Sequence, residues 1–182
     1  MLIGPPGAGK GTQATRVADA WKVPKISTGD ILRRAIESES LLGITAKECM
    51  RRGELVSDEI VTDLVAERLA DADTQDGFVL DGFPRTLEQA LALDVLTEAY
   101  SSPTVVEVRV PEDELVRRLR HRRTIERRID DEEATVRERL AVYRRATQPV
   151  LDFYKTRNAL ITVDGHASTD DVTRRINAAL KR

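Results

Sequence analysis

Gly4-Pro5-Pro6-Gly7-Ala8-Gly9-Lys10-Gly11-Thr12 lies between the apolar triplet Met1-Leu2-Ile3 and a segment, Thr12 to Trp21, that contains neither Gly nor Pro. The triplet can end a buried strand, and the segment reads as a helix with Val17, Ala18 and Trp21 on one side. A glycine-rich loop therefore joins a strand to a helix N-terminus. Its glycines allow backbone dihedrals closed to other residues, so successive N–H groups can turn into one concavity and approach an anion. The helix start adds unpaired N–H groups and partial positive charge. Lys10 adds a full charge at the rim. The pattern G-x-x-x-x-G-K is a phosphate cradle of the Walker A type. In the general motif the next residue is a Ser or Thr whose hydroxyl contacts magnesium. Here Gly11 follows Lys10, and Thr12 comes one place later.

A chain of 182 residues with an apolar fraction of 41% supports one domain with a buried core and small inserted subdomains. The net charge of −2 excludes a generally nucleic-acid-coating protein. Apolar runs fall short of the ~18 residues of a membrane span. With no basic-then-apolar leader ahead of the loop, no secretory signal is expected. Cys49 is the single cysteine, which rules out an internal disulfide and a cysteine-built zinc site. A cytoplasmic location is expected.

Strand and helix signals alternate through the rest of the chain. Val23–Ser27 reads as a strand ending at a cap, followed by a helix opened by Thr28-Gly29-Asp30 and a second from Leu41 to Arg52, closed by Gly53. Ser57 caps a helix from Asp58 to about Ala70, and Gly77–Asp81 is a buried strand with an acid at its end. Gly82-Phe83-Pro84-Arg85 must turn, and Thr86 caps the helix that carries Gln89. Thr104–Val110 is a strand, Pro111 starts a helix with Leu115 and Leu119 inward, and Asp131–Asn158 is a long helix that Pro149 should kink. Ala159–Val163 is the last strand and Ser168 caps the last helix. Such alternation predicts an α/β fold, a five-stranded parallel sheet with helices on both faces. Ligands of such sheets bind beyond the C-terminal strand edges. Ile3-Gly4, Ser27 and Asp81 all fall there, so three signals converge on one cleft.

Asp81, ending an apolar strand, stands where phosphate-loop enzymes keep the acid that orients magnesium through water. Arg33, Arg85, Arg122, Arg128 and Arg139 fall near the cleft. Phosphoryl transfer needs fork-shaped, permanently charged donors of this kind.

Taken together these segments resemble the adenylate kinases, of the nucleoside monophosphate kinase family. The loop through Gln13 resembles the family's phosphate loop, including the Gly between Lys and Thr. Ser27-Thr28-Gly29-Asp30-Ile31-Leu32-Arg33 resembles its monophosphate-binding segment, and Asp81-Gly82-Phe83-Pro84-Arg85 with Gln89 its central signature. Arg118-Leu119, Arg122, Arg128, Asp130-Asp131 and Arg139-Leu140 resemble its lid and the helix that follows. The resemblance implies a phosphate-loop NTPase-like core (1–26, 57–120, 132–182), a monophosphate-binding insertion (27–56) and a short lid (121–131). It implies reversible, magnesium-dependent phosphoryl transfer from ATP to AMP giving two ADP, by a monomer that maintains adenine nucleotide balance. Gly7, Ala8, Gly9, Lys10, Gly11, Thr12, Arg122 and Ala167 would hold ATP. Thr28, Arg33, Glu54, Leu55, Val56, Gly82, Phe83, Pro84, Arg85 and Gln89 would hold AMP, and Arg128 and Arg139 would grip phosphates when the lid closes. Lys10, Arg85, Arg122, Arg128 and Arg139 would be the catalytic set, and Phe83-Pro84 is a cis peptide in the family. Longer family lids often carry four metal-binding cysteines; none stands here, so no structural zinc is expected. Family lids often have glycines where Arg123 and Arg127 stand, Pro where Ser57 stands and Gly where Ala167 stands.

The rival within the family is a UMP/CMP kinase. Gln89 can exchange two hydrogen bonds with an adenine edge, whereas pyrimidine-specific relatives tend to carry Asn there and Ala at the position of Thr28. Both positions favour AMP. A rival of another class, an RNA-binding protein, draws on seven arginines between Arg117 and Arg128. Four acids follow at once (Asp130–Glu133), and aromatics make up only 4%, too few for base stacking. A regulatory GTPase would need an Asn-Lys-x-Asp stretch, which the chain lacks.

Overall fold

The structure is a computed structural model and describes residues 1–100 and 102–181. Short strands β1 (Leu2–Ile3), β2 (Lys25–Ser27), β3 (Val79–Asp81), β4 (Val105–Arg109) and β5 (Leu160–Asp164) pair in parallel in the order β2-β3-β1-β4-β5. Leu2 registers with Asp81 on one side and Val106 on the other, which puts the phosphate loop beside the end of β3. Alternation along the strands sends neighbours to opposite faces. Leu2, Val79, Val106 and Val108 join one core cluster, while Leu80 joins a second and Ile3 and Val105 a third.

The first cluster is completed by α1 (Lys10–Trp21), α6 (Glu112–Glu126), α7 (Glu133–Val142) and α9 (Thr169–Leu180), through Val17, Leu119, Leu140 and Ile176 among others. The opposite face is covered by α4 (Asp58–Leu69), α5 (Leu87–Leu96) and α8 (Gln148–Thr156), through Val65, Leu93 and Leu151. The expected two-faced parallel sheet is therefore present. Helices α2 (Thr28–Glu37) and α3 (Leu41–Arg52) form the insertion after β2. Side-chain caps start several helices: Ser27 accepts from Asp30 N at 3.3 Å, Ser40 from Gly43 N at 3.1 Å, Thr86 from Gln89 N at 3.2 Å and Ser168 from Asp171 N at 3.2 Å. Each such cap is worth about 1 kcal/mol.

Several sequence expectations shift. Helix α1 begins at Lys10 rather than Thr12, so the loop lysine is itself the first helical residue. Trp21 is 54% exposed, not on the inner side; it is the last residue of α1, beyond the reach of the sheet. Pro111 precedes α6 as its N-cap, one place earlier than expected. Helix α6 continues to Glu126, so His121–Glu126 of the expected lid are helical and Arg122 lies on a helix. The long helix starts at Glu133 and is broken by a π-helical turn, Tyr143–Thr147. Pro149 has no N–H to offer the turn before it, and the wider turn absorbs that misfit.

Candidate active site

Gly9 caps α1 with φ 86°, in the left-handed region where a Cβ is strained. The first intrahelical bond runs from Gln13 N to Gly9 O at 3.1 Å. The amides of Lys10, Gly11 and Thr12 therefore have no acceptor within the helix and are free for an anion. Lys10 folds back over the loop and donates from Nζ to Pro5 O at 2.8 Å. Asp81 stands beside this helix start: a Cβ placed on Gly11 would lie 3.3 Å from its Oδ2.

A pocket opens at the C-terminal edges of β1, β2 and β3. Gly4, Pro6 and Lys10 line it from the loop; Thr28, Gly29 and Arg33 from α2; Glu54, Leu55 and Val56 from the segment before α4. Gly82, Phe83, Pro84, Arg85 and Gln89 close one wall, and Asp130, Arg139 and Tyr143 another. The Phe83–Pro84 peptide is cis, as the resemblance implied. The Gly82 carbonyl accepts from Thr28 Oγ1 and from Arg85 Nε, both at 2.8 Å, so the turn after β3 ties the monophosphate segment to the pocket arginine. Gln89 is 1% exposed rather than solvated: Nε2 donates to Asp58 Oδ1 at 2.7 Å, and Oε1 accepts from Arg85 N at 2.8 Å.

Positive charge dominates this pocket. Burial pushes the Lys10 ammonium down to about 7; Asp81 opposes this, while Arg85, Arg139 and Arg122 push it further down. Burial also lowers the Arg85 guanidinium, with Arg139 adding to the effect and Asp81 and Asp130 resisting. Among the described residues no carboxylate forms an ion pair with Arg85. Cations gathered this way repel one another until an anion lies between them.

The remaining arginines are held on carboxylates. Asp131, which is 2% exposed, accepts from Arg122 Nε and Nη2 at 2.6 Å each and from Arg139 Nη1 at 2.8 Å. Burial pulls Arg122 down, but the Asp131 hydrogen bonds outweigh it and leave it above the ordinary guanidinium value. Arg139 also meets Asp130 Oδ2 at 2.9 Å, while the buried Asp130 Oδ1 has no partner. Arg33 pairs with Asp30. Arg128 pairs with Glu126 and does not line the pocket, and Ala167 packs against the core. The geometry thus brings Lys10, Arg33, Arg85 and Arg139 together, keeps Arg122 one carboxylate away, and leaves Arg128 outside.

The sequence reading gave no role to Asp130 and Asp131, which hold these arginines. Their signal was the spacing, nine residues after Arg122 and eight before Arg139 for Asp131. It also missed how α3 reaches α7. Thr135 Oγ1 donates to Arg51 O at 2.9 Å, and a Cβ on Gly53 would lie 2.9 Å from Thr135 O and 3.1 Å from Arg139 Cγ.

Among the described residues no group of three or more His, Cys, Asp or Glu is arranged to hold a metal. Magnesium does not require one, since it is commonly held by one or two carboxylates together with substrate phosphates. Asp81, a hard oxygen donor beside the phosphate loop, fits that pattern. No helix among the described residues is long and apolar enough to cross a membrane.

A depressed Lys10 has a measurable consequence. Near pH 8 the free protein holds it largely neutral, and a bound polyphosphate favours the charged form. Nucleotide binding should then take up a proton, and affinity should fall as pH rises above about 7. The sign for stability is separate: an unfolded lysine keeps its proton to higher pH, so between these values this group makes stability rise with pH. Calorimetric titration in buffers of different ionisation enthalpy reads the proton count directly. Zero uptake at pH 8 would contradict the assignment of a neutral resting Lys10.

A family model described as adenylate kinase matches residues 2–159. An adenylate kinase of Xanthomonas campestris pv. campestris (strain B100) is 48% identical over 184 residues, covering 100% of this chain and 98% of that protein. One of Xanthomonas euvesicatoria pv. vesicatoria (strain 85-10) is 48% identical with the same coverage. One of Archaeoglobus fulgidus is 42% identical over 211 residues, covering 100% of this chain and 97% of the relative. With the phosphate loop, the parallel sheet and the cationic pocket in place, the chain belongs to the adenylate kinase family and is a phosphotransferase.

Proposed function

We propose that the chain transfers the terminal phosphoryl group of ATP to AMP, reversibly and with magnesium, giving two ADP. The observation that carries this is the pocket shared by Lys10, Arg33, Arg85 and Arg139, a ring of basic groups in which Arg85 has no carboxylate partner among the described residues. Such a ring matches the charge that spreads over phosphoryl oxygens between donor and acceptor. None of the relatives named above is a pyrimidine nucleotide kinase.

In this reading the loop Gly7–Thr12 and Arg122 hold the ATP phosphates, with Ala167 beside the base. Thr28, Arg33, the Glu54-Leu55-Val56 backbone, Gly82–Arg85 and Gln89 hold AMP. An oxygen of the AMP phosphate attacks the terminal phosphorus of ATP, the bond to the bridging oxygen breaks, and the ADP leaving group carries the negative charge away. Lys10, Arg85 and Arg139 hold the oxygens in line. Asp81 would orient magnesium, which supplies charge neutralisation on the phosphates when bound. Arg122 and Arg139 exchange Asp131 for phosphate, and Arg128 arrives as residues 127–132 fold over the cleft. Closure also excludes water, the rival acceptor; the adenylate kinase lid is itself the standard example of such gating. Cys49 is a free thiol, which suits the cytoplasm.

A ligand that joins two adenosines through five phosphates fills both sites at one entropic cost. It should bind at least about a hundredfold more tightly than ATP or AMP alone by equilibrium titration. Affinity no greater than that of ATP would refute the adjoining-site arrangement.

A further inference from the structure

We propose that Asp58 fixes which way round the Gln89 amide faces, and so sets which monophosphate bases the pocket accepts. The inference rests on the reading that Gln89 contacts the base, and Asp58 is a positioning residue behind it. Asp58 is the first residue of α4 and is not among the pocket lining. Its Oδ1 accepts from Gln89 Nε2 at 2.7 Å and its Oδ2 from Thr86 Oγ1 at 2.8 Å. The Thr86 oxygen in turn accepts from Gln89 N at 3.2 Å, so its single hydrogen is left for Asp58. On the other side, Gln89 Oε1 accepts from Arg85 N at 2.8 Å.

The donor and acceptor rules make this orientation one-way. A carboxylate only accepts and a backbone N–H only donates. Turning the amide by half a revolution would set Oε1 against the Asp58 carboxylate and Nε2 against the Arg85 N–H. Both hydrogen bonds would be lost and two like-polarity contacts made, at a residue that is 1% exposed. An unconstrained surface glutamine flips at little cost; this one does not.

An amide carries two N–H donors and two acceptor lone pairs. One of each is spent on Asp58 and Arg85, and one of each remains. That remaining pair meets an adenine edge in the right sense, with the exocyclic amino group donating to Oε1 and a ring nitrogen accepting from Nε2. The 6-oxo purines and uracil present the opposite sense, an oxo acceptor beside a ring N–H. A free amide would satisfy them by flipping, whereas the fixed one leaves polar groups unpaired, the contact that discriminates most strongly. Cytosine has the same sense as adenine, so this device does not act against it and ring size must.

The test compares AMP, IMP and CMP as acceptors, since IMP differs from AMP only by reversing that edge. In Asp58→Asn the side chain can donate or accept toward Gln89, so the flip becomes cheaper, though Arg85 N–H still favours the original sense. The IMP/AMP ratio of kcat/KM should rise about tenfold, and the CMP/AMP ratio should stay the same. Asp58→Ala, with the carboxylate gone, should behave likewise, and thermal denaturation of both variants confirms folding. Gln89→Ala separates the two layers. If it collapses IMP/AMP discrimination while both Asp58 variants leave the ratio unchanged, the orientation proposal is overturned and the base contact stands. If Gln89→Ala leaves the ratio unchanged, the base contact itself is wrong and the proposal falls with it.

Discussion

Lys10→Met should lower kcat/KM by about a thousandfold while the protein stays folded with an unchanged or raised Tm. Removal of one donor to developing oxyanion charge commonly costs 10²–10³ in rate, and Lys10 reaches from the loop into the pocket where, on the proposed function, the phosphates meet. Among the described residues its ammonium donates only to Pro5 O, at 2.8 Å, so little of the fold depends on the side chain. Its charge is disfavoured by burial and by Arg85, Arg139 and Arg122, so methionine of similar length relieves repulsion as well as removing function. The measurement pairs steady-state kinetics with thermal denaturation. Activity within tenfold of the parent would sink the site; an inactive protein with a sharply lowered Tm would show that Lys10 is structural.

Arg128→Ala should lower kcat about a hundredfold and change ATP affinity less than threefold, on the logic of contacts made only in the reacting state. Arg128 rests on Glu126 outside the pocket, and Arg127 beside it has φ 49°, so the chain leaves α6 in a left-handed turn immediately before it. For Arg128 to touch a phosphate, the segment between α6 and α7 must move inward. Such a contact contributes to the closed complex and little to initial ATP capture. Kinetics of the variant beside equilibrium binding of ATP distinguishes the cases. An affinity loss equal to the loss in kcat would make Arg128 an ordinary ground-state ligand.

The fold was legible because its signals are local. A glycine loop between an apolar triplet and a helix, and caps at Ser27, Thr86 and Ser168, each state a backbone requirement in a few residues. The pocket was legible for the same reason, since β1, β2 and β3 end at Ile3, Ser27 and Asp81. What the sequence hid was pairing across distance. Gln89 was legible as a base contact, but what holds its amide was not, because its partners, Asp58 and the Arg85 amide, come from another helix start and from a turn. Arg122 read as part of a loop because its charge and that of its neighbours masked the helix; α6 buries few residues, with Leu115 and Leu119 doing the apolar packing. The π turn before Pro149 was indistinguishable from a kink, because both relieve the same missing N–H.

Whether this cationic pocket passes phosphate from ATP to AMP is read out by a coupled assay with ATP, magnesium and AMP, GMP, UMP or CMP in turn. ADP formation with AMP is expected at a kcat/KM at least about a hundredfold above GMP and UMP, whose base edges reverse the hydrogen-bonding sense, and above CMP by the smaller margin that ring size alone provides. A higher kcat/KM with UMP or CMP, or no nucleotide-dependent ADP formation at all, would contradict it.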